Sequence, residues 1–219
     1  MGKKVGVILS GCGVFDGTEI QEAVLTLLFL DRAGAQVVCA APDIDQLHVL
    51  NHMSNEEMNE QRNVLIESAR ITRGDIVDLK SLKVDHIDAL ILPGGFGAAK
   101  NLSDFALKGP EATVLPELKS ILRAVHDAGK PIGALCIAPA AVAKALNDFS
   151  PAVTIGDEMG TAAAIETMGA SHHQCKVDEI HIDTRNRIVT TPAYMLGPGI
   201  KDVAIGIEKL VDQVLALTD

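Results

Sequence analysis

The segment from Lys130 to Leu146 restricts the possible fold of this chain more than any other stretch. Its first part, Pro131 to Leu135, is an apolar run behind a glycine turn, which is typical of a strand buried inside a parallel sheet. An alanine-rich run with helical composition follows without any linker, and Cys136 lies at the junction between the two. A buried strand that passes directly into a helix is typical of α/β proteins, so we expect that fold class.

The rest of the chain alternates between strand patterns and helix patterns. Apolar runs predict further strands at Lys3–Ser10, Gln36–Ala41, Ile76–Leu79, Ala89–Leu92 and Val153–Ile155. Helical spacing predicts helices at Thr18–Ala33, Asn63–Ile71, Val114–Ala128, Thr161–Met168 and Lys201–Leu217. Polar and apolar residues alternate around Arg185-Asn186, which indicates a hairpin, and His48–His52 could form another short strand. The pattern predicts one domain over residues 1–219, a doubly wound three-layer α/β sandwich.

The bulk composition excludes several classes of partner. A formal net charge of -10, without any Lys/Arg cluster, would repel a phosphate backbone. An aromatic content of 3% without Trp offers no platform on which bases could stack. No apolar run approaches the roughly 18 residues of a membrane span. We therefore expect neither nucleic acid nor a membrane as a partner.

The spacing of cysteine, histidine and glycine argues against metals and cofactors. Cys12, Cys39, Cys136 and Cys175 are scattered and form no Cys-x-x-Cys pair, which favours a reducing compartment over a zinc site or a disulfide framework. No His-Glu-x-x-His or similar metal spacing occurs, and Asp16 stands where a dinucleotide fingerprint needs its third glycine. The chain begins with a strand and shows no signal peptide, so we expect a cytoplasmic protein without a cofactor.

Cys136 has the surroundings of a nucleophile at a sharp strand-to-helix turn. Such a turn crowds the backbone and needs small neighbours two positions away on either side, which Ala134 and Ala138 provide. The N-terminus of the following helix carries unpaired N–H groups, which favours thiolate over thiol. Pro139 fits the first turn of that helix because its missing N–H costs little there. The alternative is a buried cysteine that acts as a small apolar side chain.

Glu19 is the candidate acidic partner of Cys136. It stands in the first turn of the first predicted helix and flanks the buried stripe that contains Ala23. Partial desolvation there would raise the pKa of its carboxyl group and would suit proton transfer. The alternative is a carboxylate that only stabilises the helix N-terminus.

Three backbone N–H groups are candidates for an oxyanion hole. Gly94 and Gly95 belong to the Pro-Gly-Gly turn after the strand Ala89–Leu92, and Ile137 directly follows the cysteine. In an open α/β sheet, the loops at the carboxyl ends of the strands form the ligand site, so these loops are expected to converge. The alternative is a tight turn that simply requires glycine.

Five stretches of the chain resemble the ElbB family of isoprenoid biosynthesis proteins with an amidotransferase-like domain, within the ThiJ/PfpI superfamily: Gly6–Ile20, Asn63–Gly74, Leu92–Ser103, Cys136–Ala140 and Val189–Met195. The resemblance implies a flavodoxin-like sandwich related to class I glutamine amidotransferases, frequent dimers, and a weak cofactor-free glyoxalase activity that favours glyoxal. It places the nucleophile at Cys136, its acidic partner at Glu19, and the oxyanion-hole glycines at Gly94 and Gly95.

The chain departs from the superfamily pattern in two places. Ile137 follows the cysteine where many PfpI-type members have a histidine, and Thr191–Tyr194 stands in the place of the amidotransferase His-x-Glu. We therefore expect neither protease nor glutaminase activity. The third catalytic group is open. Of the histidines after the cysteine we name His172, for which the alternative is an ordinary solvated residue.

The expected function is a glutathione-independent glyoxalase of the hydro-lyase type, which converts glyoxal to glycolate through a hemithioacetal on Cys136. Its partners would be a small dicarbonyl substrate and a second copy of the chain in a homodimer. Two alternatives stand beside this function. One is a non-catalytic sensor in which Cys136 is oxidised or modified by reactive carbonyls. The other is an interaction module linked to isoprenoid metabolism.

Overall fold

Short apolar strands form the central sheet of the computed structural model, which describes residues 2–218. The strands are β1 Lys4–Ile8, β2 Gln36–Ala41, β3 Val77–Asp78, β4 Ala89–Leu92, β5 Ile132–Leu135, β6 Ala152–Val153, β7 Ser171–His172, β8 His181–Asp183 and β9 Ile188–Thr191. Seven of them pair in the order β3-β2-β1-β4-β5-β9-β8, and β6 and β7 form a separate pair. The neighbours in the large sheet run parallel except β8, which is antiparallel to β9. The predicted hairpin around Arg185-Asn186 is therefore confirmed.

Helices cover both faces of this sheet. They are α1 Ile20–Arg32, α2 Val64–Thr72, α3 Phe96–Lys100, α4 Phe105–Lys108, α5 Pro116–Asp127, α6 Ala138–Ala145, α7 Met159–Thr167 and α8 Ile200–Ala216. Helices α1 and α8 pack on one face of the sheet, and α5 and α6 pack on the other. The predicted doubly wound three-layer α/β sandwich is confirmed. Met1 and Asp219, the two ends of the predicted single domain, lie outside the described residues.

Strand β4 shows why the central strands are apolar throughout. Ala89 and Ile91 belong to the core beneath α1 and α8, whereas Leu90 and Leu92 belong to the core beneath α5 and α6. All four side chains are completely buried. Because successive side chains of a strand point to opposite faces, a strand that is covered on both faces has no position for a polar residue.

Two short helices near the carboxyl ends of the strands were not predicted. The residues behind Pro93-Gly94-Gly95 form α3 and α4, which have only 5 and 4 residues. Such lengths are too short for a helical period to appear in a sequence. The strand considered at His48–His52 does not form, since Leu50 makes only an isolated bridge with Glu57.

The strand order brings the loops after β1, β4 and β5 to one place. Strand β1 has β2 on one side and β4 on the other, so the direction of winding reverses at this point. Ligands of open α/β sheets bind outside the carboxyl ends of the strands at such a reversal. Within residues 2–218, none of the helices has the length and apolar character needed to cross a membrane.

Candidate active site

Cys136 lies on a strained turn between β5 and α6. Its φ is 59°, a left-handed conformation that is costly for a residue other than glycine. The turn begins directly after Leu135 and leads into α6 at Ala138. The N–H of Cys136 donates to the carbonyl oxygen of Thr191 on β9 at 3.0 Å, which ties the turn to the sheet. The structure thus contains the sharp bend predicted around Cys136.

Glu22 provides the carboxyl group that contacts Cys136. Its side chain is completely buried and shares a hydrogen bond with the Cys136 thiol. Glu22 Oε2 accepts a hydrogen bond from the N–H of Gly94 at 2.9 Å, and Oε1 accepts one from the N–H of Tyr194 at 3.1 Å. The loops after β4, β5 and β9 therefore all contribute a contact that holds this carboxyl group.

Glu19, the predicted acidic partner, does not occupy this place. It is the N-cap residue of α1, and its Oε2 accepts a hydrogen bond from the N–H of Glu22 at 2.6 Å. A side chain that caps its own helix turns back along the first helical turn and is not free to reach across the cleft. The carboxyl group that contacts Cys136 is therefore that of Glu22. Glu19 instead stabilises the N-terminus of α1, which was the alternative interpretation of this residue.

The sequence does contain a signal for Glu22. The buried residues of α1 include Glu22, Thr26 and Phe29, which follow one another at the spacing of a single helix face. A carboxyl group on a buried face is costly unless it is hydrogen-bonded or protonated, so its presence there requires an explanation. The prediction placed the acidic residue beside this stripe rather than in it.

Gly94 packs against both members of the pair. A Cβ at this position would lie 2.7 Å from Glu22 Oε2 and 2.9 Å from Cys136 Sγ, so only glycine fits here. The N–H of Gly94 already donates to Glu22 and therefore cannot serve in the predicted oxyanion hole. The N–H groups of Gly95 and Ile137, the other two predicted donors, do hydrogen-bond to the sulfur of Cys136.

Burial dominates the ionisation of both groups. It raises the pKa of Glu22 to about 8, and the nearby charge of Glu19 adds to the rise, whereas hydrogen bonds donated to the carboxylate oppose it. Burial also raises the pKa of the Cys136 thiol well above its usual range, against the lowering effect of the N–H groups of Gly95 and Ile137. The expectation that the helix N-terminus keeps Cys136 ionised is therefore wrong at neutral pH, because desolvation outweighs it.

His172 lies outside this site. It belongs to β7, which pairs with β6 rather than with the central sheet. Its Nε2 accepts a hydrogen bond from the N–H of Ile155 at 3.4 Å, and it is not among the residues that line the cavity over Cys136. Burial lowers the pKa of its imidazole, which is the ordinary effect of desolvation on a histidine. The structure does not bring this predicted third group to the sulfur.

Tyr194 is a member of the site that sequence reasoning missed. Its backbone N–H holds Glu22, and its hydroxyl donates a hydrogen bond to Oε1 of Gln21. Tyr194 follows Ala193, whose φ of 46° is again left-handed. No local pattern marks this tyrosine, because its contact with α1 depends on β9 lying beside β5 in the sheet.

A cavity of about 380 Å³ opens over Cys136. Its lining is mainly apolar and includes Val14, Phe96, Phe105, Ala106, Ile137 and Met195. In the described part of the chain, no group of three His, Cys, Asp or Glu side chains is arranged to hold a metal. The arrangement is suited to attack by sulfur on a small electrophile, with proton transfer by one adjacent carboxyl group.

Comparison with known sequences identifies a family and several relatives of this chain. The DJ-1/PfpI family matches residues 11–179, which include Glu22 and Cys136. The human protein named glutamine amidotransferase-like class 1 domain-containing protein 3, mitochondrial, is 48% identical over 98% of this chain and 83% of its own length. The zebrafish (Danio rerio) ES1 protein, mitochondrial, is 34% identical over 87% of this chain and 76% of its own length. These relatives are mitochondrial, which contradicts the cytoplasmic location that we expected.

Solved structures share the architecture. An isoprenoid biosynthesis protein with an amidotransferase-like domain from Ehrlichia chaffeensis has a TM-score of 0.93 and 39% sequence identity, over 99% of this chain and 100% of that one. Drosophila melanogaster DJ-1beta has a TM-score of 0.53 and 20% identity, over 99% and 96% of the two chains, and shares the fold. Since the family match extends over more than half of the sequence and includes the turn at Cys136, this chain belongs to the DJ-1/PfpI family.

Proposed function

We propose that this protein is a cofactor-independent glyoxalase of the ElbB type, which converts glyoxal and water to glycolate. The observation that carries the proposal is the buried hydrogen bond between the Cys136 thiol and the Glu22 carboxyl group. A nucleophile in contact with a proton carrier is the minimum that this reaction needs. Membership of the DJ-1/PfpI family and the 39% identity to an isoprenoid biosynthesis protein with an amidotransferase-like domain support the assignment.

The first step forms a carbon–sulfur bond. In the reactive form, the pair of Cys136 and Glu22 has lost one proton and holds the other on the carboxyl group, so that the sulfur is a thiolate. The thiolate attacks one aldehyde carbon of glyoxal, and the electron pair of its C=O bond moves to oxygen. The N–H groups of Gly95 and Ile137, which already face the sulfur, stabilise that oxygen. Glu22 then donates its proton to the oxygen and becomes a carboxylate.

The second step moves a proton between the two carbons of the substrate. Ionised Glu22 removes the proton from the attacked carbon, and the electron pair left behind forms an enediolate with the second carbonyl group. The hydroxyl proton of the first carbon moves to the oxygen of the second carbon, and Glu22 returns its proton to the second carbon, so that the C=O bond of a thioester forms on Cys136. The first carbon has been oxidised and the second reduced, so that no external oxidant or reductant is required.

The last step releases the product. Water attacks the thioester carbon, a carbon–oxygen bond forms and the carbon–sulfur bond breaks. Ionised Glu22 takes one proton from this water, and the pair of Cys136 and Glu22 regains its second proton when the released glycolic acid ionises to glycolate. Among residues 2–218, Glu22 is the one titratable group that contacts the sulfur. General base catalysis is typically worth about 10²- to 10⁴-fold. Because no second base is available to activate the water, we expect slow turnover.

The geometry favours this reaction over peptide hydrolysis. A thiol peptidase needs a base that later protonates the leaving amine, a role that a histidine performs in such triads. Among the described residues, the cavity over Cys136 is lined by no histidine. An aldehyde does not lose an amine, so that one carboxyl group suffices for its proton transfers.

The test follows glycolate formation from glyoxal without added thiol or metal. We expect Cys136→Ala and Glu22→Gln to lose activity by at least about 10²-fold, because each removes a group that no neighbour replaces. Cys175→Ala and Glu208→Gln are matched controls, since they change a half-buried thiol and an exposed carboxyl group outside the cavity. These controls should keep the wild-type rate. Wild-type rates in Cys136→Ala or Glu22→Gln would refute the proposal.

A further inference from the structure

Strands β6 and β7 and the helix between them form a small unit beside the central sheet, the β6–α7–β7 unit of residues 152–173. The two strands pair in parallel, and α7 connects them. The N–H of Ala152 donates to Asp183 Oδ2 on β8 at 2.8 Å, and the N–H of Thr154 donates to Thr190 Oγ1 on β9 at 2.9 Å. Supersecondary units of this kind often open and close as one body while the rest of a protein stays folded.

Three imidazole rings lie where this unit contacts β8. His172 belongs to β7, His173 follows it, and His181 begins β8. The rings of His173 and His181 are stacked, with centroids 4.0 Å apart and an interplanar angle of 9°. We propose that these rings form an acid-sensitive contact, in which uptake of protons by His172 and His181 loosens the β6–α7–β7 unit below neutral pH. Histidine is the side chain whose charge ordinarily changes in this range of pH.

The Nε2 atom of His181 is badly placed to carry a proton. It is buried, and among residues 2–218 it has no hydrogen-bond partner. A neutral ring can hold its proton on Nδ1, whereas the charged ring has protons on both nitrogens. Protonation therefore places a charged N–H donor at a buried position without an acceptor, which is costly. Burial, His173 and His172 lower the pKa of the His181 imidazole, and the charge of Asp183 opposes them.

The Nε2 atom of His172 already serves as an acceptor. The N–H of Ile155 donates to it at 3.4 Å, and this hydrogen bond joins the chain after β6 to β7. Only a ring nitrogen without a proton can accept, so protonation of His172 would bring two donors face to face. Burial lowers the pKa of the His172 imidazole against the opposing charge of Glu166 on α7, and His173 adds to the lowering.

Asp183 provides an attachment that does not change in the same range of pH. Its carboxylate accepts hydrogen bonds from the N–H of Ala152 and from the backbone and side-chain nitrogens of Asn186. Burial works against its ionisation, but these hydrogen bonds lower its pKa below the usual value of 3.8. Asp183 therefore stays ionised at about pH 5.5, and a loosening of the unit between about pH 7.5 and 5.5 comes from the histidines.

The sign of the effect follows from proton binding. In the loosened state the two imidazoles are solvated and titrate near their usual value of 6.5, whereas in the closed state their pKa values are lower. The loosened state therefore binds more protons below this value and becomes more favourable as pH falls. Thr161 of α7 lines the cavity over Cys136, so that loosening would remove part of one cavity wall. This consequence does not depend on the proposed reaction.

The experiment measures amide hydrogen exchange of the full chain at about pH 7.5 and about pH 5.5. Exchange is expressed as protection factors, which removes the intrinsic effect of pH on exchange. We expect the protection of amides in residues 152–173 to fall by about tenfold or more at the lower pH, because each histidine can contribute up to about tenfold at one pH unit below its pKa in the loosened state. Amides of β5 in the central sheet should keep their protection.

Two substitutions identify the side chains that are responsible. His172→Gln keeps an acceptor for the N–H of Ile155, and His181→Phe keeps a ring against His173, but neither new side chain titrates. In the double variant we expect the difference in protection between the two pH values to disappear. His86→Gln is the matched control, since His86 is an exposed histidine outside the unit, and it should keep the wild-type difference.

The outcomes decide the proposal even if the double variant does not fold. Protection in residues 152–173 that is equal at both pH values in the wild-type protein would overturn it. An equal loss in β5 would also overturn it, because the whole protein would then open rather than the unit. Each single variant should reduce the wild-type difference, and a full difference retained in both of them would show that other groups are responsible.

Discussion

Glu19 accepts a hydrogen bond from the backbone N–H of Glu22 at 2.6 Å, so the carboxyl group that caps helix α1 lies one turn before the carboxyl group that contacts Cys136. The two acidic residues differ in their contacts, because Glu22 faces the sulfur and Glu19 caps the helix. Glu19 fixes the start of the helix and places a negative charge close to Glu22, which adds to the raised pKa of Glu22. The residue that caps α1 thereby contributes to the raised pKa of the carboxyl group beside Cys136.

The first prediction concerns Glu19→Ala. Loss of this N-cap should lower the free energy of unfolding by about 1 kcal/mol. Removal of the neighbouring charge should also lower the pKa of Glu22, and the pH midpoint of kcat/KM should move down. Urea unfolding and a pH profile measure the two effects. Asn63→Ala, which removes the N-cap of α2, should destabilise by a similar amount without moving the midpoint. A midpoint unchanged in Glu19→Ala would contradict the coupling.

The second prediction concerns the pH dependence of activity. The pair of Cys136 and Glu22 must lose one proton before the sulfur can attack, and burial raises the pKa of both groups. We therefore expect kcat/KM for glyoxal to rise with pH through the region of about 8, the pKa of Glu22. The rate of Cys136 alkylation by iodoacetamide, followed by mass spectrometry, should rise over the same region. A profile that is flat from neutral to alkaline pH would rule out the buried pair as the ionising group.

The third prediction concerns stability. In the unfolded chain the Glu22 carboxyl group loses its proton near 4.5, whereas the folded protein retains it up to about 8. Between these values the unfolded state binds fewer protons, so the free energy of unfolding falls as pH rises. The contribution of this single group is roughly 3–5 kcal/mol across the interval. Urea unfolding at several pH values should record the decrease.

Glu22→Gln is the matched comparison for stability, because its amide does not titrate. Gln would leave one of the two backbone N–H groups at this position without an acceptor, so the absolute stability of the variant is expected to be lower at acidic pH. The informative quantity is the change of stability with pH, which should be smaller in the variant than in the wild type. An equal change in both proteins would show that Glu22 titrates normally.

The fourth prediction concerns Gly94→Ala. The added methyl group would lie 2.7 Å from Glu22 Oε2 and 2.9 Å from Cys136 Sγ, so it must push the two side chains apart. Displacement of reacting groups by about 1 Å can cost about 10²-fold, and we expect a loss of that order in kcat/KM. Gly199→Ala is the control, since its methyl group would lie 3.7 Å from the Asp202 carboxylate, an ordinary contact. Full activity in Gly94→Ala would contradict the tight packing of the pair.

The layered fold could be predicted because its signals are local. A strand covered on both faces is apolar at every position, as in Ala89–Leu92, and a helix on the surface of a sheet repeats its apolar residues at helical spacing. Helices α3 and α4, which the sequence did not predict, have only 5 and 4 residues. Their helical form depends on the close packing of the loops after β1 and β4, where Gly97 donates to the carbonyl oxygen of Gly17 at 2.8 Å.

The candidate site was predicted only in part, for the same reason. Cys136 carries its own signature, since the strained turn needs small neighbours in the sequence around it. The signal for its partner Glu22 is less specific, since it consists only of a carboxyl group on the buried face of α1. Glu19 and Glu22 both stand at the start of one helix, and the choice between them depends on which carboxyl group caps the helix and which faces the neighbouring strands.

The amino-acid order by itself determined the alternation of strands and helices and the strand-to-helix turn at Cys136, with small residues on either side of it. These properties follow from steric and burial preferences that act over a few neighbouring residues. Only the tertiary structure decided that Glu22 faces the sulfur, that the N–H of Gly94 is already occupied, and that His172 lies elsewhere. Such contacts join residues far apart in the chain, and burial among them reverses the ionisation that the helix terminus alone would favour.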